Sequence, residues 1–102
     1  SSVAPANPLI EASKSGQVER CMAALEEPKV KVDQKDPEGA SGLMHAAMGG
    51  FLPVVRFLVE RGARIAAKDD MGETALMKAC KDGHTEIIQY LIEAQVAQKK
   101  KS

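Results

Sequence analysis

Residues Gly39–Gly62, GASGLMHAAMGGFLPVVRFLVERG, read as two short helices parted by a glycine pair and closed by a further glycine. The pattern returns 33 residues later, Gly72–Gln95, as GETALMKACKDGHTEIIQYLIEAQ. Gly39 maps to Gly72, Leu43 to Leu76, Ala46 to Ala79, Gly50 to Gly83, Val54 to Ile87 and Leu58 to Leu91, with no gap. A fainter copy, NPLIEASKSGQVERCMAALEE, precedes both. A fixed period of this size marks an array of stacked units, none able to bury its apolar side unaided.

Working outward, helix signals recur at matching places. Asn7 is a strong N-cap, and Pro8 follows at the first helical position, where its missing N–H costs nothing. Gly16 ends that helix, and a second runs from about Val18 to Glu26, stopped by Pro28. Ser41 and Thr74 cap the first helices of the later units. Pro53 is tolerated if its helix starts near Leu52. Lys29–Lys35 carries Val30 and Val32 in alternation, a weak strand signal. Asp36-Pro37-Glu38-Gly39 has the residues of a type I turn, and Asp69-Asp70-Met71-Gly72 repeats it, so each turn forms the tip of a hairpin-like finger. The last helix, from about Thr85, lacks a closing glycine and is expected to run to about Gln98.

These expectations divide the chain into a flexible lead or tag remnant at 1–6, three units at about 7–35, 36–68 and 69–98, and a basic tail at 99–102. With 102 residues, 44% of them apolar and 27% charged, the composition is that of one small globular domain. Fourteen basic residues balance fourteen acidic ones, so no net field draws the chain to nucleic acid or membrane. No apolar run is long enough to span a bilayer, and no signal peptide is visible. Cys21 and Cys80 have no framework spacing and read as reduced thiols, which points to the cytoplasm or nucleus.

Together these residues resemble the ankyrin repeat. The family signature of a turn ending in Gly, then T-P-L-H-x-A-A, Gly-His, a V-V pair and Gly-Ala is matched by Ser41–Ala47, Thr74–Cys80, Gly83-His84 and Gly62-Ala63. The resemblance covers roughly residues 7–95 and implies an all-α solenoid of three stacked helix-turn-helix units joined by β-hairpin-like fingers. The signature His is replaced by Ile10, Met44 and Met77, which implies an apolar file across the stack in place of loop-tying hydrogen bonds.

The resemblance also implies a role in protein–protein binding, as a scaffold or adaptor, through a concave side of finger tips and first helices. Its contact positions, carried over one by one, are Lys35, Pro37, Glu38, Ala40, Lys68, Asp70, Met71 and Glu73 on the fingers. Lys14, Met48, Lys81 and Asp82 follow on the helix ends. Met71 is the sharpest of them, a large apolar side chain at a turn; its bland alternative is ordinary apolar surface, and the same holds for Met48. The alternative role is a regulatory or targeting domain of a larger enzyme or transcription regulator.

No enzyme chemistry, cofactor or metal is expected. His45, Cys80 and His84 could suggest zinc, but Gly83 breaks the helix between the last two, and zinc needs three or four converging ligands. Cys80 falls at the small buried position that Ala47 fills, and Cys21 at a packing position shared with Val55 and Ile88. Buried thiols of that kind are inert. A redox role for Cys80 would instead require fast labelling of the folded protein. The first unit has a polar outer face (Glu19, Arg20, Glu26, Glu27), while the last has little polar surface. Either the long helix and the lysines cap it, or a further repeat follows; the expectation is a domain excised from a longer chain, or one whose end packs on something.

Overall fold

The computed structural model describes residues 7–101, so the lead assigned to 1–6 and the final Ser102 lie outside the described residues. Six helices follow in pairs: α1 (Pro8–Ser15) with α2 (Val18–Leu25), α3 (Gly42–Gly49) with α4 (Leu52–Glu60), and α5 (Ala75–Lys81) with α6 (Thr85–Lys101). Each inner helix starts on its expected cap. Asn7 Oδ1 accepts from the amides of Leu9 and Ile10, Ser41 Oγ from Met44, and Thr74 Oγ1 from Met77. Such caps contribute about 1 kcal/mol each, enough to fix where a seven- or eight-residue helix begins.

The inner helices α1, α3 and α5 stack in one row and α2, α4 and α6 in a second. Between the rows lies a continuous core that includes Leu9, Leu43, Val54, Val55, Leu58, Ile65, Ile87 and Leu91. Each large aliphatic side chain buried there contributes roughly 1.5–3 kcal/mol. Small residues set the spacing of the inner row. A Cβ placed on Gly42 would lie 2.6 Å from Ser13 Oγ, so the α3 backbone sits directly against the Ser13 side chain of α1. One period on, Ala47 and Ala75 occupy the matching places, both buried.

The turns are tied between layers. The Phe51 ring lies over Gly16, and His84, its equivalent, lies over Gly50 and joins Met48 O through Nε2 at 3.0 Å. Both glycines have positive φ, 76° and 79°, so no side chain stands in the way of the incoming ring.

Four expectations need correction. No strand forms among the described residues: Lys29–Gln34 is a run of turns, and the finger holds a single antiparallel bridge, Lys35 to Ser41. Val30 and Val32 pack against the core from this irregular segment, which explains their alternation. The last helix does not stop near Gln98 but continues through Lys99 and Lys100 to Lys101, because nothing there breaks it. Gln98 turns inward, donating to Ala63 O at 2.9 Å and accepting from the Ile65 amide at 3.4 Å, and so satisfies the loop after α4.

The other two corrections concern the last layer. Ile10 and Met44 are buried at 3% and 1% exposure, but Met77 is 48% exposed, so the apolar file covers two layers and not three. Cys80 is likewise exposed, although its counterpart Ala47 is buried. Both differences have one cause: α1 and α3 are each covered by the next inner helix, and among the described residues no inner helix lies over α5.

Candidate protein-binding face

The two fingers, residues 33–41 and 64–74, are built alike. Asp36 accepts from the Glu38 and Ala40 amides, and Asp69 from those of Met71 and Glu73, all at 2.9 Å. Each aspartate then anchors its finger to the following helix. Asp36 Oδ2 meets His45 Nε2 at 2.8 Å, and Asp69 Oδ2 meets Lys78 Nζ at 2.8 Å. Burial pushes the Asp36 carboxyl up, but the His45 bond and the two amides outweigh it and hold it below its usual value. Asp69 is drawn down to about 2, chiefly by the Lys78 hydrogen bond and then by the Glu73 amide. The Lys78 ammonium is correspondingly raised, first of all by Asp69.

The fingers are also bound to one another. The Arg64 amide donates to Asp33 Oδ1 at 2.9 Å, Lys35 Nζ to Lys68 O at 2.9 Å, and the Asp70 amide to Glu38 O at 3.1 Å. Three crosslinks along two parallel hairpins hold the tips at a fixed separation.

The twelve carried-over positions fall into groups on this frame. Pro37, Glu38, Asp70 and Met71 project from the tips, with Met71 79% exposed. Met48, Lys81 and Asp82 lie exposed at the ends of α3 and α5, and Lys14 at the end of α1, 3.7 Å from Glu11. Lys35 and Lys68 are exposed but joined through the Lys68 carbonyl. Ala40 is a correction: at 6% exposure it packs into the core and offers no contact surface. Its equivalent Glu73 is partly covered, held by Lys78 at 3.1 Å and by Lys81. Its carboxyl is lowered by the Lys81 hydrogen bond first and the Lys78 bond second.

A carboxylate at the place of Ala40 and an ammonium at that of Met48 give the third layer an ionic inner face where the second is apolar. Sequence reading missed the Asp36–His45 and Asp69–Lys78 anchors, although the matching spacing of both pairs was a signal for them. On the opposite row Arg56 stacks on Tyr90, 5.6 Å from the ring centre. Tyr90 lines a groove of about 530 Å³ with Val59, Glu60 and Glu93. This groove lies away from the finger tips.

Other chemistries find no seat among the described residues. No three His, Cys, Asp or Glu side chains gather to hold a metal ion, and no helix is long and apolar enough to cross a membrane. Cys21 is buried, and burial raises its thiol pKa despite the nearby Ser13 and Arg20.

A family model described as Ankyrin repeats (3 copies) matches residues 6–101. No curated protein sequence matches the chain. Among solved structures, 412 chains match, so the shape alone selects no partner. One is a chain in the solved complex of the Bd0816 predatory endopeptidase from Bdellovibrio bacteriovorus with immunity protein Bd3460. It is 31% identical over 89% of this chain and 47% of that one, with a TM-score of 0.81. The present chain thus spans about half the length of the solved chain.

Proposed function

Because the chain belongs to the ankyrin-repeat family, generally a non-catalytic module for protein–protein interaction, we propose that it grips a partner protein along the surface formed by its finger tips and inner helices. One observation carries the choice of face. Crosslinked fingers present Met71 almost wholly to solvent, where no internal packing uses it. The finger backbone is already ordered, which lowers the entropy cost of binding, and the adaptable methionine side chain can fill an irregular apolar pocket. Met48 adds a second anchor, and Glu38, Asp70, Lys81 and Asp82 supply a charged rim.

The ends of this surface differ in character, apolar near Met48 and ionic near Lys81. A partner strand or helix laid along it would set aliphatic groups against α3 and charged ones against α5. The solved structure cited above is itself a protein–protein complex, in line with this reading. A regulatory or targeting role would use the same face against a domain of a longer polypeptide. We place the protein in the cytoplasm or nucleus, where both thiols stay reduced.

The test is a pull-down with wild-type bait beside Met71→Arg and Met48→Glu, both at exposed positions outside the ionic network. Loss of the wild-type partners from both variants supports the face. Recovery of the same partners by all three baits overturns it.

A further inference from the structure

The groove between α4 and α6 on the outer row combines three kinds of lining: the Tyr90 ring, the apolar Val59, Ala94 and Ala97, and the carboxylates of Glu60 and Glu93. Both helices that form it are in place. At about 100° per residue, Tyr90, Ala94 and Ala97 share one side of α6, while Ile92 and Val96 fall on the opposite side. The groove therefore belongs to the junction of the second and third layers and not to the end of the stack.

The repeat shows what is missing from it. In the second layer Arg61 lies over the Phe57 ring, 4.8 Å from its centre. One period later Tyr90 takes the place of Phe57, but Ala94 takes that of Arg61. A methyl group thus stands where the earlier layer carries a guanidinium, and that methyl lines the groove beside Tyr90.

The charges around the gap are those of an arginine site. Glu60 and Glu93 occupy the same place in their layers, one on α4 and one on α6, and neither enters an ion pair among the described residues. Burial first and then the Glu60 carboxylate raise the Tyr90 hydroxyl, so that charge is felt at the ring. The chain's own Arg56 stacks on Tyr90, 5.6 Å from the ring centre, beside a smaller depression that Glu86 and Glu93 also line. Arg56 is not part of the larger groove, which is left with a π surface and two carboxylates but no cation of its own.

We propose that this groove docks an arginine side chain from a basic segment of a partner protein. The guanidinium takes the place over Tyr90 that Arg61 holds over Phe57, within reach of Glu60 and Glu93, and the aliphatic stem lies along Ala94 and Ala97. Arginine fits better than lysine because its planar head stacks on aromatic rings and forks onto carboxylates. The site is separate from the finger tips, so it operates whether or not they hold a partner.

The chain has one tyrosine and no tryptophan, so its intrinsic fluorescence reports Tyr90. Titration with a peptide of alternating arginine and glycine is expected to give a saturable change that an alternating glutamate and glycine peptide does not. Glu60→Gln and Glu93→Gln, both at exposed positions, should each weaken binding about two- to fivefold, the effect of losing one exposed ion pair. Glu26→Gln makes the same charge change in the first layer, where Ala23 stands in place of the ring, and should leave binding unchanged. Ala94→Arg supplies the missing side chain from within and should abolish saturation. Met71→Arg should titrate like the wild type, which separates this site from the finger face. A wild type without a saturable change, equal weakening by Glu26→Gln, or binding that survives Ala94→Arg overturns the proposal.

Discussion

The contact between Gly42 and Ser13 makes a compensating pair of substitutions calculable. A Cβ on Gly42 would sit 2.6 Å from Ser13 Oγ and 3.7 Å from Leu58 Cδ1. The hydroxyl cannot simply swing aside, because it donates to Leu9 O at 2.8 Å. Gly42→Ala therefore costs about 1–3 kcal/mol of overpacking. Removal of a helical glycine returns roughly 0.5–1 kcal/mol, leaving a net loss of about 0.5–2 kcal/mol. Ser13→Ala alone loses a buried hydrogen bond, at about 0.5–1 kcal/mol.

Combined, the two substitutions recreate the pair of alanines, Ala47 and Ala75, that stands buried at the matching places of the next junction. The double variant is expected near wild-type stability, with a favourable coupling of about 1–3 kcal/mol. Urea unfolding followed by circular dichroism would read this as midpoints lowered in both single variants and restored in the double. Thermal midpoints should follow at about 4–8 °C per kcal/mol for a domain of this size. If the two losses simply add, equivalence of the two junctions is refuted.

Three further outcomes follow from the fingers and the end helix. The Asp69 carboxyl lies near 2 in the folded chain against an ordinary 3.8. Its contribution is therefore complete above about pH 4 and lost as pH falls toward about 2. Asp69→Asn should flatten the fall in urea midpoint across that window, and an unchanged slope would show that the Lys78 anchor is not responsible. Gln98→Ala removes both ties to the loop after α4, at about 1–2 kcal/mol. Faster hydrogen exchange at the Ile65 amide should accompany it, and unchanged exchange would remove Gln98 from its capping role. In dilute folded protein Cys80 should react with a thiol reagent within minutes and Cys21 only on unfolding; equal rates would contradict the burial of Cys21.

The layer order, the caps at Asn7, Ser41 and Thr74 and the turn at Asp36–Gly39 were legible because each rests on local chemistry repeated at a fixed spacing. Burial was not, because alignment assigns a residue its place within a layer but cannot show what lies above it. Met77 and Cys80 look like Met44 and Ala47 in the sequence and differ only in lacking a cover. Ala40 and Glu73 share a position, yet the methyl group folds inward while the carboxylate reaches two lysines. Lys78 hid its role by differing from His45 in type, although both serve an aspartate nine residues earlier. The helical state of Lys99–Lys101 escaped notice because a run of charge reads as solvated tail whether or not its backbone is helical.

Phe51 and His84 hold corresponding joints by unlike means, one an aromatic wedge and the other a ring nitrogen on a carbonyl. A molecule stretched from its two termini would not part at both places together. Both rings must leave a seat over a glycine, but Phe51 gains nothing from water when it leaves, while His84 can exchange its one bond for one to solvent. Unravelling under tension would thus begin with the final helix pair, and the first two pairs would leave as a block.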